Sequence, residues 1–453
     1  MTQAAKKRAD RDLTKGSLPK HIVRLAGPMA LGILAIMTMN IVDTYFVGQL
    51  GTDQLAAMSF TFPVVFFLSS LTLGMGVGVT SVVSRAVGRK DHPKARRVTT
   101  DALALATIVV AVISVAGYLT IEPIFTMLGA APKLMPLITE YMSIWYFGAA
   151  FLVVPMIGNA AIRSTGDTRT PALIMLGVAG LNMLLDPLFI FGVGDWEGWG
   201  IGGAATASVV SRGVALVAAF WILRRREDLI SFEMPDMTEV LQSWREVMRV
   251  GAPAGATRSV VPLTNAFITA LIAGFGTEAV AGYGAATRVE AFALVLSNGL
   301  TASLGPLVGQ NWGAHQKDRV YKAIIYTCTA VAAVSVAIWG LLYGFAEPIG
   351  DLFTDSDEAI AVFVLFVAIV PLGHALQGTF RAMSNAWNAI DRPFPAAALS
   401  LLRTVGLIAP FAWLGAEFFG ISGMFWGIML ANATAGLVAI VAAKPVIEST
   451  DHE

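Results

Sequence analysis

Twelve apolar runs of roughly 20 to 25 residues follow one another along this chain, separated by short polar connections. They fall at about 22–49, 55–83, 98–120, 134–160, 171–192, 200–223, 247–273, 280–308, 321–345, 359–385, 394–415 and 420–444. A run of that length matches the hydrocarbon thickness of a bilayer when it is helical. Inside lipid a backbone has no water to bond, so a helix, which satisfies its own amides, is the form such a run takes. The chain therefore reads as an all-α integral membrane protein with 12 transmembrane helices.

Composition agrees. Of 453 residues, 56% are hydrophobic and 14% charged, against roughly 25% charged in soluble domains. The net charge of zero argues against a nucleic-acid partner. The single cysteine, Cys328, lies in an apolar run and cannot form an internal disulfide. No Walker loop is present, so ATP is not the expected energy source, and no cofactor is implied.

The connections alternate in charge. Arg85, Arg89, Lys90, Lys94, Arg96 and Arg97 follow the second run, and Arg163 and Arg169 the fourth. Arg224, Arg225, Arg226, Arg245 and Arg249 follow the sixth, Lys317, Arg319 and Lys322 the eighth, and Arg381 and Arg392 the tenth. The opposite connections hold Asp195, Glu197, Asp351, Asp355, Asp357 and Glu417, with Lys133 as the basic exception. This is the positive-inside pattern, and it places both termini in the cytoplasm of a bacterial or archaeal inner membrane. The expected layout is a cytoplasmic tail (1–24), an N-lobe (25–223), a cytoplasmic linker (224–246), a C-lobe (247–444) and a second tail (445–453).

The two lobes repeat each other. An offset of 225 positions carries Pro28 to Pro253, Asn40 to Asn265, Gly51 to Gly276, Gly74 to Gly299 and Gly88 to Gly313. Further on the offset drifts to about 220, where Gly200-Ile201-Gly202-Gly203 meets Gly420-Ile421-Ser422-Gly423. Six helices per copy make the repeat parallel, with a substrate path between two six-helix lobes.

Ionisable groups inside such spans are costly and mark function. Asp43, Asp186 and Glu290 lie well inside spans. Counting at ~1.5 Å per residue puts Asp43, Asp186, Tyr141 and Thr206 in one layer roughly 10 Å from the outer surface. Asn182 precedes Asp186 by one turn and shares its face, and Pro187 frees the carbonyl of Met183. Such an oxygen set suits a sodium ion, and two desolvated carboxylates equally suit a proton; hydrogen-bonded structural aspartates are the plainer alternative. The second copy lacks this group, since Asp43 maps to Ile268. It carries Arg258, Arg288, Glu290 and Arg403 instead, either an ion-pair network or part of a substrate wall. Met37 and Asn40 on the first span are further cavity candidates.

The runs Asn40-Ile41-Val42-Asp43-Thr44, Gly48-Gln49-Leu50-Gly51, Arg163-Ser164-Thr165-Gly166-Asp167-Thr168 and Asn182-Met183-Leu184-Leu185-Asp186-Pro187 together resemble the multidrug and toxic compound extrusion (MATE) family, in its DinF-like branch. The resemblance covers about residues 17–445. It implies a V of two six-helix lobes and export of drugs in exchange for H+ or Na+. It places the ion site on Asp43, Asn182, Asp186 and Thr206, with Tyr141 beside them. The partners expected are a small amphipathic substrate and the bilayer, with the protein a monomer.

The same sequence admits two rival readings. Gly192-Val193-Gly194-Asp195 matches an intramembrane aspartyl protease pattern. The charge alternation, however, puts Asp195 in an outer loop, so no enzyme is expected. A lipid or lipid-linked-sugar flippase is the nearer alternative. The topology itself is testable. In a cysteine-free background, cysteines placed in the Arg224–Arg249 segment should react with a membrane-impermeant maleimide only after permeabilisation; labelling in intact cells would overturn the orientation.

Overall fold

A computed structural model describes residues 11–233 and 236–448. Lys6, Lys7 and Arg8 of the basic tail, and residues 449–453 of the other tail, lie outside the described residues. The described chain is helical, and the one β-bridge among those residues, Val193 to Trp196, closes a turn. The membrane helices are α1 (Leu18–Leu50), α2 (Thr52–Gly88), α3 (His92–Leu119), then, after a short α4 (Ile121–Met127), α5 (Met135–Ser164), α6 (Arg169–Phe191), α7 (Gly200–Arg225) and α8 (Met237–Ala273). There follow α9 (Thr277–Ala293), α10 (Val295–Gly313), α11 (Lys317–Gly344), the short α12 (Ala346–Gly350), α13 (Asp357–Ile369), α14 (His374–Ala389), α15 (Pro393–Leu401) and α16 (Ala409–Glu448).

Among the described residues, ten helical stretches are long and apolar enough to cross a membrane, and an eleventh is α9 with α10, bent by 45° at Leu294. The last stretch, Pro393–Ala443, has 51 residues, about 75 Å of helix and far more than one bilayer. It folds back at Gly420, whose φ of 64° and ψ of −153° break the helix. A Cβ on Gly415 would lie 2.1 Å from the Gly423 carbonyl oxygen, and one on Gly427 2.2 Å from that of Phe411. Those pairings are those of a tight antiparallel hairpin. Its two arms correspond to the apolar runs 394–415 and 420–444.

The structure moves some sequence boundaries. α8 begins ten residues earlier than its apolar run, at Met237, so Arg245 and Arg249 are helical rather than linker residues. Arg381 is not in a connection: it lies within α14, and its guanidinium donates to Asn298 Oδ1. Charge counting alone could not separate a loop arginine from one eight residues up a helix.

The repeat is written in the backbone as well as the side chains. Thr120 (φ −119°, ψ 20°) and Phe345 (φ −120°, ψ 20°), one offset of 225 apart, interrupt α3 and α11 in the same way. Lys90 (φ 61°) and His315 (φ 58°) adopt the same left-handed turn, as do Gly166 (φ 87°) and Asp391 (φ 68°). Gly200 (φ 53°) and Gly420 (φ 64°) match at the drifted offset. The turns before α7 and in the final hairpin are thus the same device.

The chain divides into two compact units, an N-unit of 31–255 and a C-unit of residues up to Ala30 and from Ala256 onward. The division cuts α1 after Ala30 and α8 after Gly255, again 225 positions apart. Each unit therefore contains the leading part of the other's first helix. In the N-unit the leading part of α8 packs on α2: Cβ atoms on Gly74 and Gly78 would lie 2.5 Å and 2.2 Å from the carbonyl oxygens of Gly251 and Val247. In the C-unit the leading part of α1 packs on α10 the same way, a Cβ on Gly299 falling 2.8 Å from the Ala26 carbonyl oxygen. Glycine at these points lets backbones approach, which is what holds helices together where lipid supplies no hydrophobic drive.

Polar clasps secure both leading parts. Trp244 donates to the Asp101 carbonyl at 2.9 Å and Lys94 pairs with Glu246 at 3.0 Å in the N-unit. In the C-unit the fully buried Leu13 donates its amide to Gln310 Oε1 at 3.1 Å, and its carbonyl accepts from Asn311 at 3.1 Å and Arg319 at 3.2 Å. The Arg163–Thr168 motif is structural here: Asp167 accepts from the amides of Arg169 and Thr170 and from Arg226 at 3.0 Å, tying the start of α6 to the end of α7.

Gly78→Val should push α2 from α8 and lower the melting temperature of the detergent-solubilised protein by several degrees. Gly177→Ala on α6, where a Cβ meets nothing within 4 Å, should leave it unchanged or slightly raised. Equal melting of the Gly78 variant and the parent would rule out the close approach.

Candidate functional site

One layer of the N-unit holds several of the residues its sequence proposes. Asp43 on α1 is 8% exposed, while Asn182 and Asp186 on α6 are wholly buried. One helical turn lets Asn182 Nδ2 donate to Asp186 Oδ1 at 3.1 Å. Pro187 continues α6 without an amide hydrogen for the preceding turn. Tyr141, near the N-terminal end of α5, is buried and within electrostatic reach of both aspartates. The charge of Asp43 also acts on Asp186.

One charge in this group is absent from the sequence-based set. Arg212 on α7 interacts electrostatically with Asp43 and Tyr141. Side chains on a helix tilt toward its N-terminus. Arg212 lies twelve residues into α7, so its side chain extends back toward the start of that helix. The rule that singled out Asp43 and Asp186, an ionisable group inside an apolar run, applies equally to Arg212 in 200–223.

Hydrogen-bond accounting defines what the layer lacks. Asp43 Oδ1, Asp186 Oδ2 and Asn182 Oδ1 are buried acceptors without a donor, and Arg212 Nη1 is a buried donor without an acceptor. A buried polar atom left unpaired costs about 1–3 kcal/mol, more when charged. Three donor-less acceptor oxygens suit a small hard cation or protons on the carboxylates. Among the described residues no group of three or more His, Cys, Asp or Glu is arranged for a transition metal. Thr206 donates its hydroxyl to the Gly202 carbonyl at 2.8 Å, which leaves its oxygen lone pairs available, although no contact ties it to the aspartates. Glu140 accepts from the Gly202 amide at 3.2 Å and holds the start of α7 against α5. Met37 is half-buried and Asn40 exposed, about two turns and one turn before Asp43 on α1.

The C-unit repeats the helices and not the chemistry. Its charged group centres on Glu290, whose Oε1 lies 2.7 Å from His374 Nε2. Arg381 and Arg403 are within charge reach of Glu290 and of each other, and Arg258 acts on Arg381. Arg288 stays outside: it is exposed and lies along its own helix over Gly284.

Comparison with known proteins agrees with this architecture. The MatE family profile matches twice, at residues 28–188 and 253–414. The chain belongs to the MATE family. Its members are transporters, so this is a multi-pass membrane transporter and not an enzyme. Over 436 residues the transporter is 34% identical to a protein named FAD transporter from Shewanella oneidensis, covering 96% of each chain. It is 26% identical to the multidrug export protein MepA of Staphylococcus aureus, over 94% of each. Among solved structures, the Vibrio cholerae MATE transporter VcmN in its bent form superimposes with a TM-score of 0.91 at 31% identity, covering 95% of this chain and 97% of that one. A MOP superfamily transporter from Pyrococcus furiosus gives 0.88 at 25% identity, over 97% and 98%.

The proximity of Asp43 and Arg212 makes a coupling measurement informative. Asp43→Asn and Arg212→Gln each leave an opposite charge buried alone, so each should lower the melting temperature. The double variant removes both and should melt about 2–4 °C above the value expected from adding the two losses. Simple additivity would show that the two groups do not interact.

Proposed function

We propose that this MATE transporter exports small organic compounds in exchange for protons or sodium ions, with Asp43 and Asp186 as one ion-responsive unit. The observation that carries the reading is the set of three buried, donor-less oxygens on Asp43, Asn182 and Asp186 in one layer of the N-unit. Two carboxylates in a low-dielectric layer do not both remain charged and bare at low cost. A proton would be held on Asp43 or Asp186. A sodium ion would be held by Asp43, Asn182, Asp186 and Thr206. In either case the ion is exchanged cargo.

Arg212 gives the unloaded state a way to exist. When the ion leaves, its guanidinium supplies the compensating charge to Asp43, and the helices that carry the two groups, α1 and α7, adjust to bring them together. Loading reverses the preference, so ion occupancy biases the helix arrangement. One charge moved through 100 mV is worth roughly 2.3 kcal/mol, enough for about a fiftyfold substrate gradient in one-for-one exchange.

The relatives' names point the cargo toward flavin nucleotides or amphipathic drugs, and they do not favour the flippase reading. The protein would act as a monomer in the bacterial or archaeal plasma membrane with both termini in the cytoplasm.

The test is transport in proteoliposomes with sodium and pH gradients imposed independently. The gradient that drives accumulation names the ion. Asp43→Asn and Asp186→Asn should each abolish concentrative transport while the protein still folds and inserts, and Glu290→Gln should do less harm. An aspartate variant that concentrates substrate at the parental rate would move the coupling site elsewhere.

A further inference from the structure

The C-unit carries a positive charge that its own residues do not satisfy. Between Glu278 and the outer Glu417, Glu290 is the sole acid within the apolar runs. Arg381 and Arg403 are within charge reach of it, and Arg258 is within charge reach of Arg381. Three guanidinium groups against one carboxylate leave two positive charges over, and Glu290 is already engaged by His374 at 2.7 Å. Arg381 spends one N–H on Asn298. Arg403 has buried Nε and Nη1 groups with no acceptor at all.

Two further features show that Arg403 is held in place. Its guanidinium carbon sits 5.0 Å from the centroid of the Phe380 ring, a cation–π contact. It also lies in a π-helical segment, Leu402–Ile408, between α15 and the first arm of the final hairpin. Such a bulge inserts one extra residue, re-aims the side chains around it and is found chiefly where function requires it. Ten residues beyond Pro393, Arg403 lies about 15 Å into the span, where a guanidinium with unpaired N–H groups is most costly. A guanidinium offers two forks to the paired oxygens of a phosphate or carboxylate, Nε with Nη2 and Nη1 with Nη2, and each orphaned group of Arg403 belongs to one of them.

We propose that Arg403, with Arg381 and Arg258, forms a binding site in the C-unit for the phosphate or other oxyanion group of an organic anion that the protein transports. The site deepens the export reading by naming its cargo class, and it uses residues distinct from the ion unit of the N-unit. Flavin nucleotides fit, because they differ from riboflavin by the phosphate groups this site reads.

The experiment is equilibrium binding to the full-length protein in phosphatidylcholine nanodiscs, without any ion gradient, using FAD, FMN and riboflavin followed by flavin fluorescence. FAD and FMN should bind at least tenfold more tightly than riboflavin. Arg403→Gln and Arg381→Gln should each weaken FAD at least tenfold with riboflavin unchanged, and the exposed Arg288→Gln should change neither. Arg403→Lys keeps the charge without the fork and should also lose affinity; it serves if the glutamine variant melts early. Equal binding of FAD and riboflavin, or parental FAD affinity in the Arg403 variants, overturns the proposal. So does loss of FAD binding in phosphatidylglycerol nanodiscs combined with a retained lipid, seen by native mass spectrometry, that Arg403→Gln releases; that result assigns the site to a lipid headgroup. Because no gradient is applied, failure here with gradient-driven export of a cation such as ethidium intact removes the anion site alone. Intact FAD binding with no driven export would remove the ion coupling alone.

Discussion

A peptide group within the hydrocarbon layer has only protein to bond with, and the rest of this structure follows from that. It makes every long apolar run a helix, and it confines breaks to places where other backbone or side chains take up the freed groups. It also removes the usual apolar attraction between helices, so cohesion passes to close backbone approach. The contacts of Gly74 and Gly78 with α8, of Gly299 with α1, and within the Gly420 hairpin are of this kind. Side-chain volume at those positions would separate the helices that carry the charges.

Against that shared frame, the two units differ in what they bury. The backbone repeat extends to individual dihedral angles at Thr120 and Phe345, yet Asp43 has Ile268 as its counterpart. One copy keeps a pair of carboxylates faced by a single arginine; the other keeps a single carboxylate among several arginines. The N-unit thus has an excess of carboxylate and the C-unit an excess of guanidinium. Duplication supplied the scaffold twice, and substitution at a few buried positions gave each copy its own electrostatic demand.

Much of this was legible in the chain. Apolar length marked the helices, the 225-residue offset marked the repeat, and equal counting along the spans put Asp43, Tyr141, Asp186 and Thr206 in one layer, of which Thr206 bonds only to its own helix. What escaped has physical reasons. Arg212 starts deeper than the aspartates, and only the direction of its side chain along α7 brings it to their layer. Arg381 was read with the loop charges because hydropathy averages over a window longer than its distance from the helix end. The bend at Leu294 occurs without a glycine or proline at that residue, so tertiary packing has to set it. The π segment at Arg403 leaves no trace in an apolar pattern. The exchange of leading segments was invisible, since a sequence records where a helix starts and not which bundle it joins.

That exchange has a consequence for how the protein is made. The ribosome delivers residues in order, so the N-unit is incomplete until 237–255 emerge, after its own six helices are already in the membrane. The stretch from Leu13 to Ala30 waits far longer, because α10 and α11, which clasp it, are synthesised some three hundred residues later. The C-unit can therefore close on Leu13–Ala30 only after α10 and α11 have been made.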